Sequence, residues 1–301
     1  MKNMSTAKIL QELLRTKPIL KVGGAFDAMS AKLVEISKFD AIWAGSFAIS
    51  ATHALPDASI MTMTEFLGVA SNMAESCKIP VIADCDTGFG GPSNVSHMVK
   101  KYEGAGIAGI SIEDKIFPKQ NSLLEGGKQE LISEREFVAK IIAAREAKIN
   151  EDFFIIARTE ALIAEKGMDE ALQRAHAYEE AGANAILIHS KKNSPDEIFE
   201  FSKKWDGRSP LVVVPTAYPS VGTDELIEHK IKMVIYANQT LRVAYNAMSR
   251  VLEEIRNVNR LTEIKEEMSS MEDIFQLQEM YNVKKEEKDI EEELKKLGYV
   301  K

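Results

Sequence analysis

An alternation constrains this chain more than any other feature. Eight short apolar runs end on polar residues and are separated by longer stretches with helical spacing: Leu20–Gly24, Ala41–Gly45, Val81–Asp84, Gly109–Glu113, Phe154–Arg158, Ala185–His189, Leu211–Pro215 and Met233–Ala237. They are apolar at almost every position, the pattern of strands buried on both faces. Asp27–Ser37, Thr64–Cys77, Asn94–Ala105, Glu134–Lys148, Asp169–Ala181, Pro195–Trp205 and Thr223–Glu228 read as the connecting helices, and one more near Leu241–Ile255 follows the eighth run. Strand–helix alternation implies a parallel sheet covered by helices, and eight units predict a closed (β/α)8 barrel of the TIM type. Internal similarity agrees. Tyr102-Glu103-Gly104-Ala105-Gly106 leads into Ile110-Ser111-Ile112-Glu113, as Tyr178-Glu179-Glu180-Ala181-Gly182 leads into Ile186-Leu187-Ile188-His189. Each is a helix end, a glycine cap and a buried strand that stops on a polar residue.

The barrel, with an extra helix at Thr6–Arg15, is expected to occupy residues 1–256. Beyond Asn257 the composition turns to Glu, Lys and Met. Leu261, Ile264, Met268, Ile274, Leu277 and Met280 mark short amphipathic helices, and Lys284–Lys296 is charge-dense. Residues 257–301 are too few and too polar for an independent domain and are expected to pack on a neighbouring subunit. The net charge of −8 argues against nucleic acid or an anionic membrane surface as partner. No apolar stretch approaches the roughly 20 residues of a membrane span. Cys77 and Cys85 lack metal-ligand spacing and suggest a reducing compartment, and Met1–Leu20 lacks signal-peptide character, so a cytoplasmic location is expected.

A barrel carries its chemistry where its strands end. Here those ends hold Asp84-Cys85-Asp86, Glu113-Asp114-Lys115, Arg158 with Glu160, His189, Pro215-Thr216 and Asn238, with Asp57 in the loop after the second strand. Asp84 and Asp86 are either loop-forming caps or, with Glu113 on the next strand, oxygen ligands suited to Mg²⁺. Arg158 is either a structural partner of Glu160 or a clamp for an anion. Residues 115–131, with Pro118, Gly126 and Gly127, are long for a connection of this kind and form a candidate lid. The Thr87–Gly91 loop lacks the Gly-Lys-Ser/Thr ending of a phosphate-binding P-loop.

Glu113-Asp114-Lys115, followed after five residues by Asn121-Ser122, resembles the E-D-K-x5-N-S motif of phosphoenolpyruvate mutases, members of the isocitrate lyase superfamily. Trp43, Asp57, Asp84-x-Asp86-Thr87-Gly88, Ala157-Arg158-x-Glu160-Ala161 and Ile188-His189-Ser190-Lys191-Lys192 extend the resemblance from about Gly23 to the C-terminal helices. The resemblance implies Mg²⁺ held directly by Asp84, with Asp86 and Glu113 binding its waters. It places Arg158 and His189 at the phosphoryl end of the substrate, and backbone amides of Gly45, Ser46 and Phe47 at its carboxylate. Trp43 would be a wall, and Lys119, Asn121 and Ser122 would come from the closing loop. Asp57 would stand beside the migrating phosphoryl group as nucleophile or electrostatic guide. The family's Trp-Gly-Ser-Gly is here Trp43-Ala44-Gly45-Ser46, which leaves the carboxylate donors open. The implied reaction interconverts phosphoenolpyruvate and phosphonopyruvate, in a homodimer or homotetramer with exchanged C-terminal helices.

Phosphonopyruvate hydrolases share nearly all of these residues but carry Thr at the position of Asn121. The C–C lyases of the superfamily need a K-K-C-G-H motif where this chain has Lys119-Gln120-Asn121-Ser122. A non-catalytic binding barrel is the remaining alternative, against which the full set of acids, Arg and His at the strand ends argues.

Overall fold

In the computed structural model, which describes residues 4–299, the eight runs are eight parallel strands: β1 (Leu20–Ala25), β2 (Ala41–Ala44), β3 (Val81–Asp84), β4 (Gly109–Glu113), β5 (Phe154–Thr159), β6 (Ala185–Ile188), β7 (Leu211–Val213) and β8 (Ile231–Tyr236). They close in sequence order into one barrel, with β1 pairing to β8 through Leu20 and Met233. The chain divides into two units, one through Arg242 and one from Val243.

In the first unit the helices are α1 (Thr6–Thr16), α2 (Ala28–Ile36), α3 (Ser46–Thr52), α4 (Met63–Ser76), α5 (Pro92–Gly104), α6 (Glu134–Ala147), α7 (Met168–Ala181), α8 (Asp196–Lys204) and α9 (Thr223–Glu228). Their starts follow from capping chemistry. Asp27, Thr62 and Ser133 each accept a backbone N–H from the third residue on, closing capping boxes at α2, α4 and α6. The ends of α5 and α7 use glycines in the left-handed region, Gly106 at φ 80° and Gly182 at φ 109°, as the repeated motif predicts. The sequence reading missed α3, a seven-residue helix too short for its Ser-Phe-Ala-Ile-Ser-Ala-Thr run to show a period. β7 also stops two residues early, and β8 starts two residues before Met233.

Side-chain alternation then decides what reaches the barrel's interior. Leu20, Val22, Ile82, Phe154, Ile156, Leu187, Val212, Met233 and Ile235 fill it, and Leu10 and Leu14 of α1 join the same cluster. Their neighbours in sequence, such as Ile155, Ile186 and Val213, pack outward against Val99, Phe137, Tyr178 and Phe201 of the surrounding helices. Counting by twos toward the strand ends, Ile82 leads to Asp84, Ile156 to Arg158 and Leu187 to His189. The polar strand ends therefore point into the mouth of the barrel.

The second unit holds the remainder of α10 (Gln239–Asn257), then α11 (Met271–Leu277) and α12 (Met280–Lys296). Of the residues expected to mark short amphipathic helices, Ile274 and Leu277 lie on α11 and Met280 opens α12, with Glu279 in a left-handed conformation between the two helices. Arg250 pairs with Glu266 at 3.1 Å, and Glu254 accepts the Lys265 N–H at 2.8 Å. Val243, Tyr245, Met248, Leu252 and Ile255 are exposed. Among the described residues no helix is long and apolar enough to cross a membrane.

Candidate active site

The mouth of the barrel holds a cavity of about 180 Å³ lined by Trp43, Gly45, Ser46, Phe47, Asp57, Asp84, Lys119, Asn121, Ser122, Arg158 and His189, together with Val214, Thr216 and Asn238. Every residue that the resemblance placed at the metal or substrate is in this wall except Asp86 and Glu113, which are buried; of the other strand-end residues, Cys85, Asp114, Lys115 and Glu160 are buried and do not line it. Gly45 has a steric reason to be glycine, since a Cβ there would lie 3.0 Å from the Trp43 ring. It precedes α3, whose first N–H groups have no partner within the helix.

On the β3–β4 side the charges are acidic and incompletely paired. Asp84 Oδ2 accepts the Ser46 hydroxyl at 2.9 Å. Asp86 sits in the left-handed region at φ 50°, anchored because its carbonyl accepts the Glu113 N–H at 2.8 Å. Its two carboxylate oxygens and Glu113 Oε1 are buried without a hydrogen bond. Burial, together with Asp84 and Asp57, pushes the Asp86 carboxyl up to about 6 against the opposing pull of Lys119. Lys119 meets Asp86 Oδ1, but Asp86 Oδ2 and Glu113 Oε1 are left without a hydrogen bond, and such buried oxygens are costly and call for a cation.

The loop after β4 supplies one cation. Lys119 Nζ lies 2.8 Å from Asp86 Oδ1, 2.9 Å from Asp57 Oδ1 and 3.2 Å from the Ser46 hydroxyl. The two carboxylate contacts are ion pairs without hydrogen-bond alignment. Burial alone would lower the Lys119 pKa, but Asp86, Asp57, Glu113 and Asp84 outweigh it and hold the ammonium well above its ordinary value. Asn121 donates its amide to Asp57 Oδ2 at 2.7 Å. Burial raises the Asp57 pKa, yet Lys119 and Asn121 more than offset it, so the carboxyl titrates below its usual range.

On the β5–β6 side the network is complete. Arg158 Nε contacts Glu160 and, at 3.2 Å, Glu113, while its Nη2 donates to the Ser122 hydroxyl at 3.1 Å. Glu160 Oε2 accepts the Ser122 hydroxyl at 2.6 Å and lies 3.5 Å from Lys115 Nζ. Burial opposes ionisation of Glu160, but Arg158 above all holds its carboxyl well below the usual range. His189 Nδ1 lies 2.8 Å from Arg158 Nη2 and 3.0 Å from Glu160 Oε1. A guanidinium only donates and an ionised carboxylate only accepts, so the two contacts of Nδ1 call for opposite tautomers. Burial and Arg158 lower the His189 pKa despite Glu160, which favours the neutral ring.

Two residues matter more than their sequence positions suggested. Glu160 is the hub that orients Arg158, His189 and Ser122. Lys115 is 2% exposed and folds the loop inward, donating to Ser122 Oγ at 2.6 Å and Gln120 O at 2.8 Å. The parity of β5 already pointed Glu160 inward. The partner of Lys115 lies seven residues along an irregular loop and left no periodic signal.

Residues 10–256 match the family model described as phosphoenolpyruvate phosphomutase. The chain is 43% identical over 276 residues to the phosphonopyruvate hydrolase of Variovorax sp. (strain Pal2), covering 91% of this chain and 95% of that protein. Its structure is similar to that of the phosphoenolpyruvate phosphomutase of Streptomyces platensis subsp. rosaceus, with a TM-score of 0.92, 46% identity, and 94% and 98% of the two chains covered. It is also similar to phosphonopyruvate hydrolase in complex with oxalate and Mg²⁺, with a TM-score of 0.88, 41% identity, and 93% and 97% covered.

Proposed function

The chain belongs to the phosphoenolpyruvate phosphomutase family, and from that premise we propose that it interconverts phosphoenolpyruvate and phosphonopyruvate. The residues fit the Mg²⁺ that this reading requires. Among the described residues no three His, Cys, Asp or Glu side chains gather closely enough to hold an ion alone. Asp86 Oδ2 and Glu113 Oε1, buried without a hydrogen bond, and the Asp84 carboxylate nonetheless offer hard oxygen donors, and Mg²⁺ commonly keeps several waters. Asp84 would hold the ion, with Asp86 and Glu113 orienting its waters. When bound it would neutralise charge developing on the phosphoryl group and the enolate.

The chain's own residues do the rest. Arg158, fixed by Glu160 and Glu113, presents a preset positive charge to the phosphoryl group, with the His189 ring beside it. The backbone amides at Gly45, Ser46 and Phe47 would receive the substrate carboxylate, and Trp43 would back its plane. In the forward direction the C–P bond of phosphonopyruvate breaks and its electron pair stays on the pyruvate enolate. The enolate oxygen then bonds to phosphorus, giving phosphoenolpyruvate with no atom gained or lost.

One observation carries transfer over hydrolysis: both oxygens of Asp57 are engaged, one by Lys119 at 2.9 Å and one by Asn121 at 2.7 Å. A carboxylate so occupied, with its pKa depressed, is a poor base for activating water. It serves better as an electrostatic guide beside a phosphoryl group. Incubating the protein with phosphonopyruvate and Mg²⁺ and following ³¹P signals tests this reading. Phosphoenolpyruvate as product supports the mutase; inorganic phosphate with pyruvate establishes the hydrolase instead. The exposed apolar side chains of α10 support assembly into a homodimer or homotetramer, which light scattering would refute by showing an active monomer.

A further inference from the structure

Asp114 is the middle residue of Glu113-Asp114-Lys115, yet it does not line the cavity. It is fully buried against α7. Its Oδ1 accepts the Glu160 N–H at 2.8 Å, and its Oδ2 accepts the Tyr178 hydroxyl at 2.7 Å and Arg174 Nη1 at 3.2 Å. Arg174 and Tyr178 lie one turn apart on α7, and Arg174 Nη1 is also 3.1 Å from the Tyr178 hydroxyl. The same Nη1 reaches the backbone carbonyl of Ile132 at 3.1 Å, while the Ile132 N–H donates to the carbonyl of Asp114 at 3.0 Å.

The residue where the loop leaves β4 and the residue where it returns are thus bonded to each other and to one guanidinium. Immediately above, Lys115 and Leu131 form an antiparallel bridge, and the Ile116 N–H donates to Glu130 O at 3.0 Å. The loop stands on a two-stranded stalk whose base is Arg174. A buried ion pair is a poor device for stability alone, since apolar residues of similar size often serve as well. The Tyr178 ring packs edge-on against Phe137 at 4.6 Å, a contact that does not need its hydroxyl.

We infer that Arg174 and Tyr178 are positioning residues for the reaction. They fix both ends of residues 115–131 so that Lys119 and Asn121 reach Asp57. Through the Asp114–Glu160 bond they also set that loop in register with Arg158 and His189. The inference rests on the loop's role proposed above, and its test separates the two.

Tyr178→Phe removes one hydroxyl and keeps the ring. It is expected to lower kcat about 10-fold with KM nearly unchanged, the scale of one lost hydrogen bond to a charged group. With Mg²⁺ and oxalate present, amide hydrogen exchange across residues 116–130 should speed up by a similar factor of about 10. Arg174→Met should act in the same direction and more strongly, with Arg174→Lys recovering part of the loss. If Arg174→Met does not fold, Tyr178→Phe decides alone. Wild-type kcat and wild-type loop exchange in Tyr178→Phe, even with a lowered melting temperature, would overturn the inference and leave the cluster purely structural. Release of inorganic phosphate by the wild-type protein would overturn the transfer reading alone, because each ratio is taken within one product.

Discussion

On the β5–β6 side of the barrel mouth each charged side chain has its partner. Arg158 is bound by Glu160, Glu113 and Ser122, and Glu160 by Arg158, Ser122 and Lys115. On the β3–β4 side three carboxylates face one another, and both oxygens of Asp86 and one of Glu113 have no hydrogen bond. The first side is organised by the protein alone, with its positive charge aimed in advance. The second holds more carboxylates than the Lys119 ammonium among them offsets, and gains its balance when a further cation arrives. The difference teaches which residues should matter for folding and which for chemistry: removing an acid should cost stability on one side and activity on the other.

Asp84→Ala offers the sharpest break of that contrast. Activity should fall by about 10³-fold, the scale of several kcal/mol of lost metal assistance. Thermal stability, read by calorimetry without Mg²⁺, should hold or rise, because one of three crowded acids is gone. Glu160→Gln should do the reverse to the fold. It leaves Arg158 buried without its main counter-charge, so denaturant melts should show a loss of about 3 kcal/mol. Equal stability losses in the two variants would erase the distinction. Asn121→Ala addresses the loop that bridges the two sides. Turnover should drop about 10²-fold, as for one lost donor at a developing charge, while stability changes little. Glu113→Gln should have the smallest effect, weakening Mg²⁺ about 10-fold by titration calorimetry, as expected for a group that orients bound water.

Much of this site was legible because strands have a period of two. Once Ile82, Ile156 and Leu187 are assigned inward, Asp84, Arg158 and His189 follow at the mouth, and no tertiary information is needed. The long loop also announced itself by its length and its glycines. The pairings among long side chains were not legible. Nothing in the spacing of Lys115 shows that it folds back onto Ser122, or that Asp114 turns outward to Arg174 while its two neighbours turn in. Those choices depend on an irregular loop and on a helix sixty residues later in the chain. Asp57 stood apart for the same reason: it follows the unforeseen α3, and only contact with Lys119 and Asn121 brings it to the site.

The central claim is that phosphorus passes between carbon and oxygen without meeting water. The direct measurement is turnover of phosphonopyruvate with Mg²⁺ in ¹⁸O-enriched water, with products resolved by ³¹P isotope shift and mass spectrometry. Phosphoenolpyruvate carrying no solvent oxygen in its phosphoryl group is the predicted result; ¹⁸O-labelled inorganic phosphate accumulating in step with pyruvate would contradict it.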